Sequence, residues 1–174
     1  MPERRTAYRP RLAPVVSFAV RIALRGDAEW AADQAFVSDL GKRSAMTSLG
    51  SLRSAPERIV QASFEHLREI VEHQSGVTLI AHDGARRLGF LLLLDSLPDD
   101  VTMLPQAFVA YMAVEPEEQR RGVGAALLES AEREARRRGR PYMALMVTEG
   151  NAPARALYQR NGYETERRLL CKAL

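Results

Sequence analysis

Cysteine is almost absent from this sequence of 174 residues, which contains only Cys171. A single cysteine cannot form an internal disulfide, and no cysteines and histidines have the spacing of a zinc site, so no metal is predicted. Cys171 lies in a tail of alternating apolar residues, which predicts a buried, inert thiol. Long apolar runs are lacking too: residues 89–94 fall far short of the ~20 residues of a membrane-spanning helix. Disulfide scaffolds and helical membrane proteins are therefore not expected.

Lysine is also scarce, since Lys42 and Lys172 are the two lysines among 25 basic residues. The net charge of +3 is too small to predict nucleic-acid binding, although arginines in residues 1–14 and 136–140 keep it as an alternative. No recognition motif or interleaved aromatic residues support that alternative. Residues 1–14 precede too short an apolar run for a signal peptide, so we predict a flexible basic arm on a cytoplasmic protein.

The sequence does contain the composition of an ordinary globular domain, with 46% hydrophobic and 27% charged residues. We expect one domain over residues 15–174. Apolar periodicity predicts the order β-α-α-β-β-β-α-β-α-β. The strands are predicted over 15–24, 77–81, 88–94, 108–114, 142–148 and 163–174, and the helices over 28–40, 57–73, 122–138 and 151–161. This order predicts an α/β fold with a mixed sheet, in which a β-α-β unit makes two of the later strands parallel.

The start of the third predicted helix carries the run Gln119-Arg120-Arg121-Gly122-Val123-Gly124. The first amides of a helix have no partner within it and lie at its positive end, so this position binds anions. Glycine lets a diphosphate approach the backbone, and the two arginines add charge. The run therefore predicts a pyrophosphate site, with tight strand–helix packing as the alternative. It is neither a P-loop, which needs Gly-Lys-Ser/Thr, nor a dinucleotide fingerprint, which needs glycine where Leu127 stands.

The same run matches the Gln/Arg-x-x-Gly-x-Gly/Ala signature of the GNAT superfamily of N-acetyltransferases, which this sequence resembles. About 30 residues further on, a second pattern resembles the other acetyl-CoA element of that family. It consists of Asn151, Ala154, Arg155, Leu157, Tyr158, Gly162 and Tyr163. The resemblance implies the GNAT fold, a single-domain, mixed and mostly antiparallel sheet whose central pair of parallel strands splays apart around the cofactor.

The resemblance further implies acetyl-CoA as the co-substrate. The pyrophosphate would lie on the backbone of the first motif, and the bulged strand before it would offer amides to the pantetheine arm and thioester. The implied contacts are Met112, Ala113, Val114, Gln119, Arg120, Arg121, Gly122, Val123, Gly124, Ala125, Asn151, Ala154 and Tyr158. Asn151 would also serve as a helix cap. Tyr158 matches the tyrosine that in many members protonates the departing thiolate, with packing against the cofactor as its alternative role.

The implied reaction is direct attack of a primary amine on the thioester in a ternary complex. Some members place a glutamate base on the strand before the first motif, but here the first carboxylate is Glu115. Glu115 and Glu149 are therefore the candidate bases, acting through water, and solvated charges at strand ends are the alternative.

The acceptor is expected to be a small-molecule amine or a peptide or protein amine, held by the loops at 41–56 and 95–105. Asp95, Asp99 and Asp100 in the second loop, together with Glu149, would attract a cationic amine. A non-catalytic acyl-CoA-binding sensor or regulatory module is the alternative function, and the resemblance also allows a homodimer.

Overall fold

A computed structural model describes residues 17–48, 54–74 and 76–173 of the chain. The predicted basic arm, residues 1–14, lies outside this part. Within it, nine helices and strands follow one another along the chain, with a 3-10 turn at Pro116–Glu118. They are β1 (Ala19–Ile22), α1 (Trp30–Ser48), α2 (Glu57–His73), β2 (Val77–Asp83), β3 (Arg86–Leu94), β4 (Gln106–Val114), α3 (Val123–Arg137), β5 (Tyr142–Leu145) and α4 (Ala152–Arg160).

The five strands described form one sheet in the order β1-β2-β3-β4-β5. Neighbours are antiparallel except β4 and β5, which are parallel and are joined through α3. The Asp83–Gly84 pair turns β2 into β3, with Gly84 at a φ of 56°. The predicted α/β fold with a mixed, mostly antiparallel sheet and one parallel pair is therefore confirmed.

Helices cover both faces of the sheet, so its central strand is buried on both sides. On β3, Leu91 and Leu93 belong to the core beneath α3, whereas Phe90, Leu92 and Leu94 belong to the core beneath α1 and α2. Alternate side chains of a strand point to opposite faces, which explains why residues 88–94 read as one continuous apolar run.

Helix α1 is longer than predicted, because it continues to Ser48 instead of ending near residue 40. We expected Gly41 to open a loop. It lies inside the helix instead, where a Cβ would stand only 1.9 Å from Cζ of Phe64 on α2. The glycine therefore allows two helices to pack closely, and it does not end α1.

The predicted last strand at 163–174 is wrong, because residues 163–173 form no strand. Leu169 and Leu170 are adjacent, so an extended chain would point them to opposite faces, and each of them is 88% exposed. This segment therefore has no apolar face that packs on the core. Cys171 is exposed in the same segment, and the prediction of a buried thiol is also wrong. Tyr163 is the last residue that packs on the core beneath α3.

Candidate active site

Strands β4 and β5 separate partway along their length. They pair only where Gln106–Val109 lies beside Tyr142–Leu145, and β4 then continues alone along β3. Val109 pairs with Leu93 and Tyr111 with Leu92, so Ala110 is an extra, bulged residue. The edge of β4 from Ala110 to Val114 therefore has no strand beside it among the residues described. The predicted contacts Met112, Ala113 and Val114 lie along this part of β4. Because the amide of Glu115 donates to the carbonyl of Leu88 on β3 and successive peptide groups alternate, those of Met112 and Val114 face the gap, whereas that of Ala113 faces β3.

The loop after β4 turns sharply into α3. Arg120 and Gly122 both have positive φ, of 61° and 87°, and the Gln119 side chain donates from Nε2 to the carbonyl of Val114 at 3.3 Å. In the part of the chain that the structure describes, no group accepts a hydrogen bond from the backbone amides of residues 120–125. These amides lie at the positive end of a 15-residue helix. The loop therefore has the geometry of an anion site.

The two glycines of the motif are needed for different reasons. A Cβ on Gly122 would meet nothing within 4 Å, so its positive φ is what requires glycine. A Cβ on Gly124 would come within 3.1 Å of Cδ2 of Leu157, where α4 packs against α3. The packing alternative thus accounts for Gly124, and backbone conformation accounts for Gly122.

The two arginines of the motif also differ. Arg121 donates to Glu118 at 2.5 Å, and Glu118, only 3% exposed, also pairs with Arg86 at 2.8 Å. Arg120 is exposed and has no acidic partner among the described residues. Arg120 is therefore free to meet an anion, whereas Arg121 is held in place. Apart from its spacing of three from Arg121, nothing in the sequence distinguishes Glu118 from the neighbouring Glu117.

The second motif forms the start and middle of α4. Asn151 caps this helix, since its Oδ1 accepts from the amide of Ala154 at 3.2 Å. Tyr158 is half-buried and packs edge-on against Tyr163 with ring centroids 5.8 Å apart. Burial raises the pKa of Tyr158, and the nearby Tyr111 raises it further. The phenol therefore stays protonated through neutral pH, as a general acid requires.

Sequence reasoning missed two hydroxyl groups beside the gap. Tyr111 follows the bulge on β4, and its Oη lies 3.0 Å from Oγ of Ser44 on α1. Its ring packs against Phe64 and Phe90 on the α1–α2 side of the sheet, whereas Tyr158 packs on the α3 side. The two rings therefore pack on opposite faces of the sheet. Only tertiary structure brings Ser44 to Tyr111, 67 residues away.

Both candidate bases are already paired with arginines. Glu115, at the end of β4, accepts from Arg43 at 2.9 Å, which raises the pKa of Arg43. Glu149 is 77% exposed and pairs with Arg155 at 3.1 Å. Each carboxylate therefore has an arginine as its counter-ion, and the geometry does not single out either of them as the base.

The loop at 95–105 lies at the far end of the sheet from the motif. Asp95 pairs with Arg138, just beyond the C-terminus of α3, at 3.0 Å. Asp99 and Asp100 pair with Arg167. Since α3 is about 22 Å long at ~1.5 Å per residue, these acids are remote from its N-terminus. The structure thus places these acids in ion pairs away from the motif, and the expectation that this loop holds the acceptor stays a prediction. Of the other predicted loop, at 41–56, residues 41–48 belong to α1 and include Ser44, and residues 49–53 lie outside the described part.

An anion-binding turn after a bulged strand, beside two parallel strands that separate, is the arrangement that the resemblance to N-acetyltransferases implies. The chain belongs to the acetyltransferase (GNAT) family, whose model matches residues 47–163. Acetyl transfer is the reaction of that family, and the predicted enzyme class, N-acetyltransferase, is confirmed.

Known proteins agree with this assignment. The uncharacterized N-acetyltransferase YhfO of Bacillus subtilis is 29% identical over 107 residues, 62% of this chain and 71% of that protein. Two solved structures share the fold at low sequence identity. A Pyrococcus furiosus protein described as an acetyl transferase matches with a TM-score of 0.73 and 18% identity, over 91% of this chain and 100% of its own. The ribosomal-protein-alanine N-acetyltransferase of Brucella melitensis matches with a TM-score of 0.64 and 19% identity, over 91% and 99%.

No helix within residues 17–48, 54–74 and 76–173 is both long and apolar enough to cross a membrane.

Proposed function

We propose that this protein transfers the acetyl group of acetyl-CoA to a primary amine, by direct attack within a ternary complex. One observation carries the proposal: the unpartnered amides of residues 120–125 at the start of α3 directly follow a strand edge that is itself open. A diphosphate fits the amides, and an extended pantetheine arm fits the edge of β4. In support, the aminoglycoside N-acetyltransferase AAC(6′)-Iy, which has a TM-score of 0.59 to this chain, was solved in complex with CoA.

The proposed cofactor contacts follow from this placement. The pyrophosphate accepts hydrogen bonds from amides between Gln119 and Ala125, including those of Arg121, Val123 and Gly124, and Arg120 adds a free positive charge. The pantetheine arm follows the edge of β4 at Met112 and Val114, and of the predicted amides those of Met112 and Val114 are placed to polarise the thioester carbonyl, because that of Ala113 faces β3. Asn151 and Ala154, which are hydrogen-bonded to each other at the N-terminus of α4, border the pantetheine arm.

Tyr158 is the proposed general acid. The amine nitrogen attacks the thioester carbon, the carbon–sulfur bond breaks, and the sulfur leaves with the electron pair and takes the proton of Tyr158. The amine loses a proton to water, with Glu115 or Glu149 as the candidate final acceptor. Most of the rate then comes from holding the amine against the carbonyl, which is the usual benefit of orientation in a closed site.

The acceptor is proposed to be a primary amine of a small molecule, peptide or protein. It would reach the thioester from the α1–α2 side of the sheet, where Tyr111 and Ser44 offer hydroxyls. A cytoplasmic location and a homodimer remain predictions.

Two measurements test the proposal. Calorimetry should show CoA binding in the micromolar range, and a panel of amines assayed by release of free CoA thiol should identify at least one acceptor. Hydrolysis of acetyl-CoA without amine is the blank. If CoA fails to bind even at about 1 mM, which corresponds to roughly −4 kcal/mol, the proposal is overturned. Binding without turnover of any amine would favour the acyl-CoA-binding regulatory module instead.

A further inference from the structure

A buried carboxylate lies directly at the proposed phosphate site. Glu118 is 3% exposed and precedes the first residue of the motif. An ionised carboxylate is costly to bury, and at this place its charge also opposes that of a pyrophosphate. Such a residue is unexpected at an anion site unless it has a role that outweighs both effects.

Two arginines from different parts of the chain hold this carboxylate. Arg86, the first residue of β3, contacts one oxygen at 2.8 Å, and Arg121 of the motif contacts the other at 2.5 Å. The bridge therefore ties the sheet to the loop. The backbone turn is fixed as well, since the Glu118 amide donates to the carbonyl of Glu115 at 2.9 Å. The side chain of Arg121 is 41% exposed, so the other N–H groups of its guanidinium are open to an anion.

We propose that Glu118 is a positioning residue that fixes the loop and Arg121 for the pyrophosphate of coenzyme A. The inference rests on the proposed function. By binding Arg86 and Arg121 together, Glu118 holds the chain in the strained turn at Arg120, whose φ is 61°, so that the amides converge before the ligand arrives. Preorganisation outweighs the repulsion between the carboxylate and the diphosphate.

The direction in which the CoA affinity changes when Glu118 loses its charge tests this proposal. Glu118→Gln keeps the shape of the side chain and removes its charge. If Glu118 were only a nearby negative charge, the variant would bind CoA more tightly, because a repulsion has been removed. If Glu118 positions the loop, CoA binding should weaken about tenfold, equivalent to ~1.4 kcal/mol. Glu117→Gln is the matched control, since Glu117 is exposed and has no partner among the described residues, and its CoA affinity should stay within about twofold.

A second ligand separates positioning from general damage. S-acetylpantetheine carries the same thioester and arm without the pyrophosphate, so its kcat/KM with an accepted amine should be unchanged in Glu118→Gln. Asp33→Asn is the control for lost stability, because Asp33 is also a buried carboxylate between two arginines but belongs to α1, on the other face of the sheet. It should lower Tm without changing the Kd of CoA.

Each outcome decides the inference. Unchanged or tighter CoA binding by Glu118→Gln overturns it, and so does an equal loss with S-acetylpantetheine. Should Glu118→Gln not fold, Arg86→Gln replaces it, because Arg86 is 57% exposed and its loss should weaken CoA binding about threefold, or ~0.7 kcal/mol. Unchanged binding by Arg86→Gln would then overturn the inference. If the wild-type protein does not bind CoA, the proposed function itself fails.

Discussion

Exchanging each motif glycine for alanine should separate the two reasons for glycine at this site. Gly122 has a φ of 87°, and open space surrounds the position of its missing Cβ. An L-residue in the left-handed region is less stable by about 1–2 kcal/mol. For a chain of this size each kcal/mol corresponds to about 2–4 °C, so Gly122→Ala should lower Tm by about 2–8 °C.

Gly122→Ala should also weaken coenzyme A binding. The strained residue would relax toward negative φ and turn the following amide away from the proposed pyrophosphate. A hydrogen bond to a charged group contributes about 1.5–3 kcal/mol. The Kd of CoA should therefore rise about ten- to hundredfold in isothermal calorimetry.

Gly124→Ala is the matched control, with the same added methyl group two residues further on. Its Cβ would meet the flexible end of Leu157 at 3.1 Å, which a small side-chain shift relieves. Alanine also reduces the freedom of the unfolded chain and favours helix, so stability should change by less than about 1 kcal/mol. CoA affinity should stay within about threefold, or ~0.7 kcal/mol. The reasoning is refuted if Gly122→Ala has the Tm and the CoA affinity of the wild type. It is also refuted if Gly124→Ala loses more stability or CoA affinity than Gly122→Ala.

Three further predictions concern charged and phenolic groups. Tyr158→Phe should lower kcat by about a hundredfold and leave the Kd of CoA unchanged, and a kcat equal to that of the wild type would show that Tyr158 is not the acid. Because burial raises the pKa of Tyr158, the activity of the wild type should decline only above about pH 10. Asp33→Asn should lower the free energy of unfolding in urea by about 3 kcal/mol. Burial favours a higher pKa for Asp33, but its two arginine partners outweigh burial and lower that pKa. The stabilisation by Asp33 is therefore present above about pH 4 and is lost as the pH falls further. The stability of the variant should lack this pH dependence. Glu115→Gln and Glu149→Gln should each retain kcat within about threefold at pH 8 if water accepts the amine proton, and a hundredfold loss in one of them would identify it as the base.

The sheet could be predicted because its signals are local. The Asp83–Gly84 turn and the continuous apolar run of β3 each lie within a few residues, and the structure has both where expected. The length of α1 could not be predicted, since Gly41 has the same local signature whether it ends a helix or makes room for Phe64. Only the position of α2 decides between these two roles. The strand predicted at 163–174 was wrong because alternating apolar residues alone do not make a strand, and residues 163–173 pair with no neighbouring strand.

In the candidate site, too, features that depend on neighbouring residues could be predicted, whereas those that depend on distant residues could not. The turn at Gly122 follows from contiguous residues, and so does the cap by Asn151. Glu118 and Tyr111 could not be found, because their partners Arg86 and Ser44 lie 32 and 67 residues away in the sequence. The roles that the family resemblance assigns to individual residues stay predictions.

The separation of β4 from β5 connects these observations with the proposed chemistry. Parallel pairing ends at Val109 and Leu145, so the gap opens toward the end of the sheet where α3 begins. In the proposed reaction, a cofactor anchored at that helix would lie on the α3 side, next to Tyr158, with its thioester at the gap. An amine arriving from the α1–α2 side would then meet the thioester carbonyl from the opposite face, near Tyr111. Two substrates that enter from opposite sides would be bound at once, which is the arrangement that the proposed direct transfer requires.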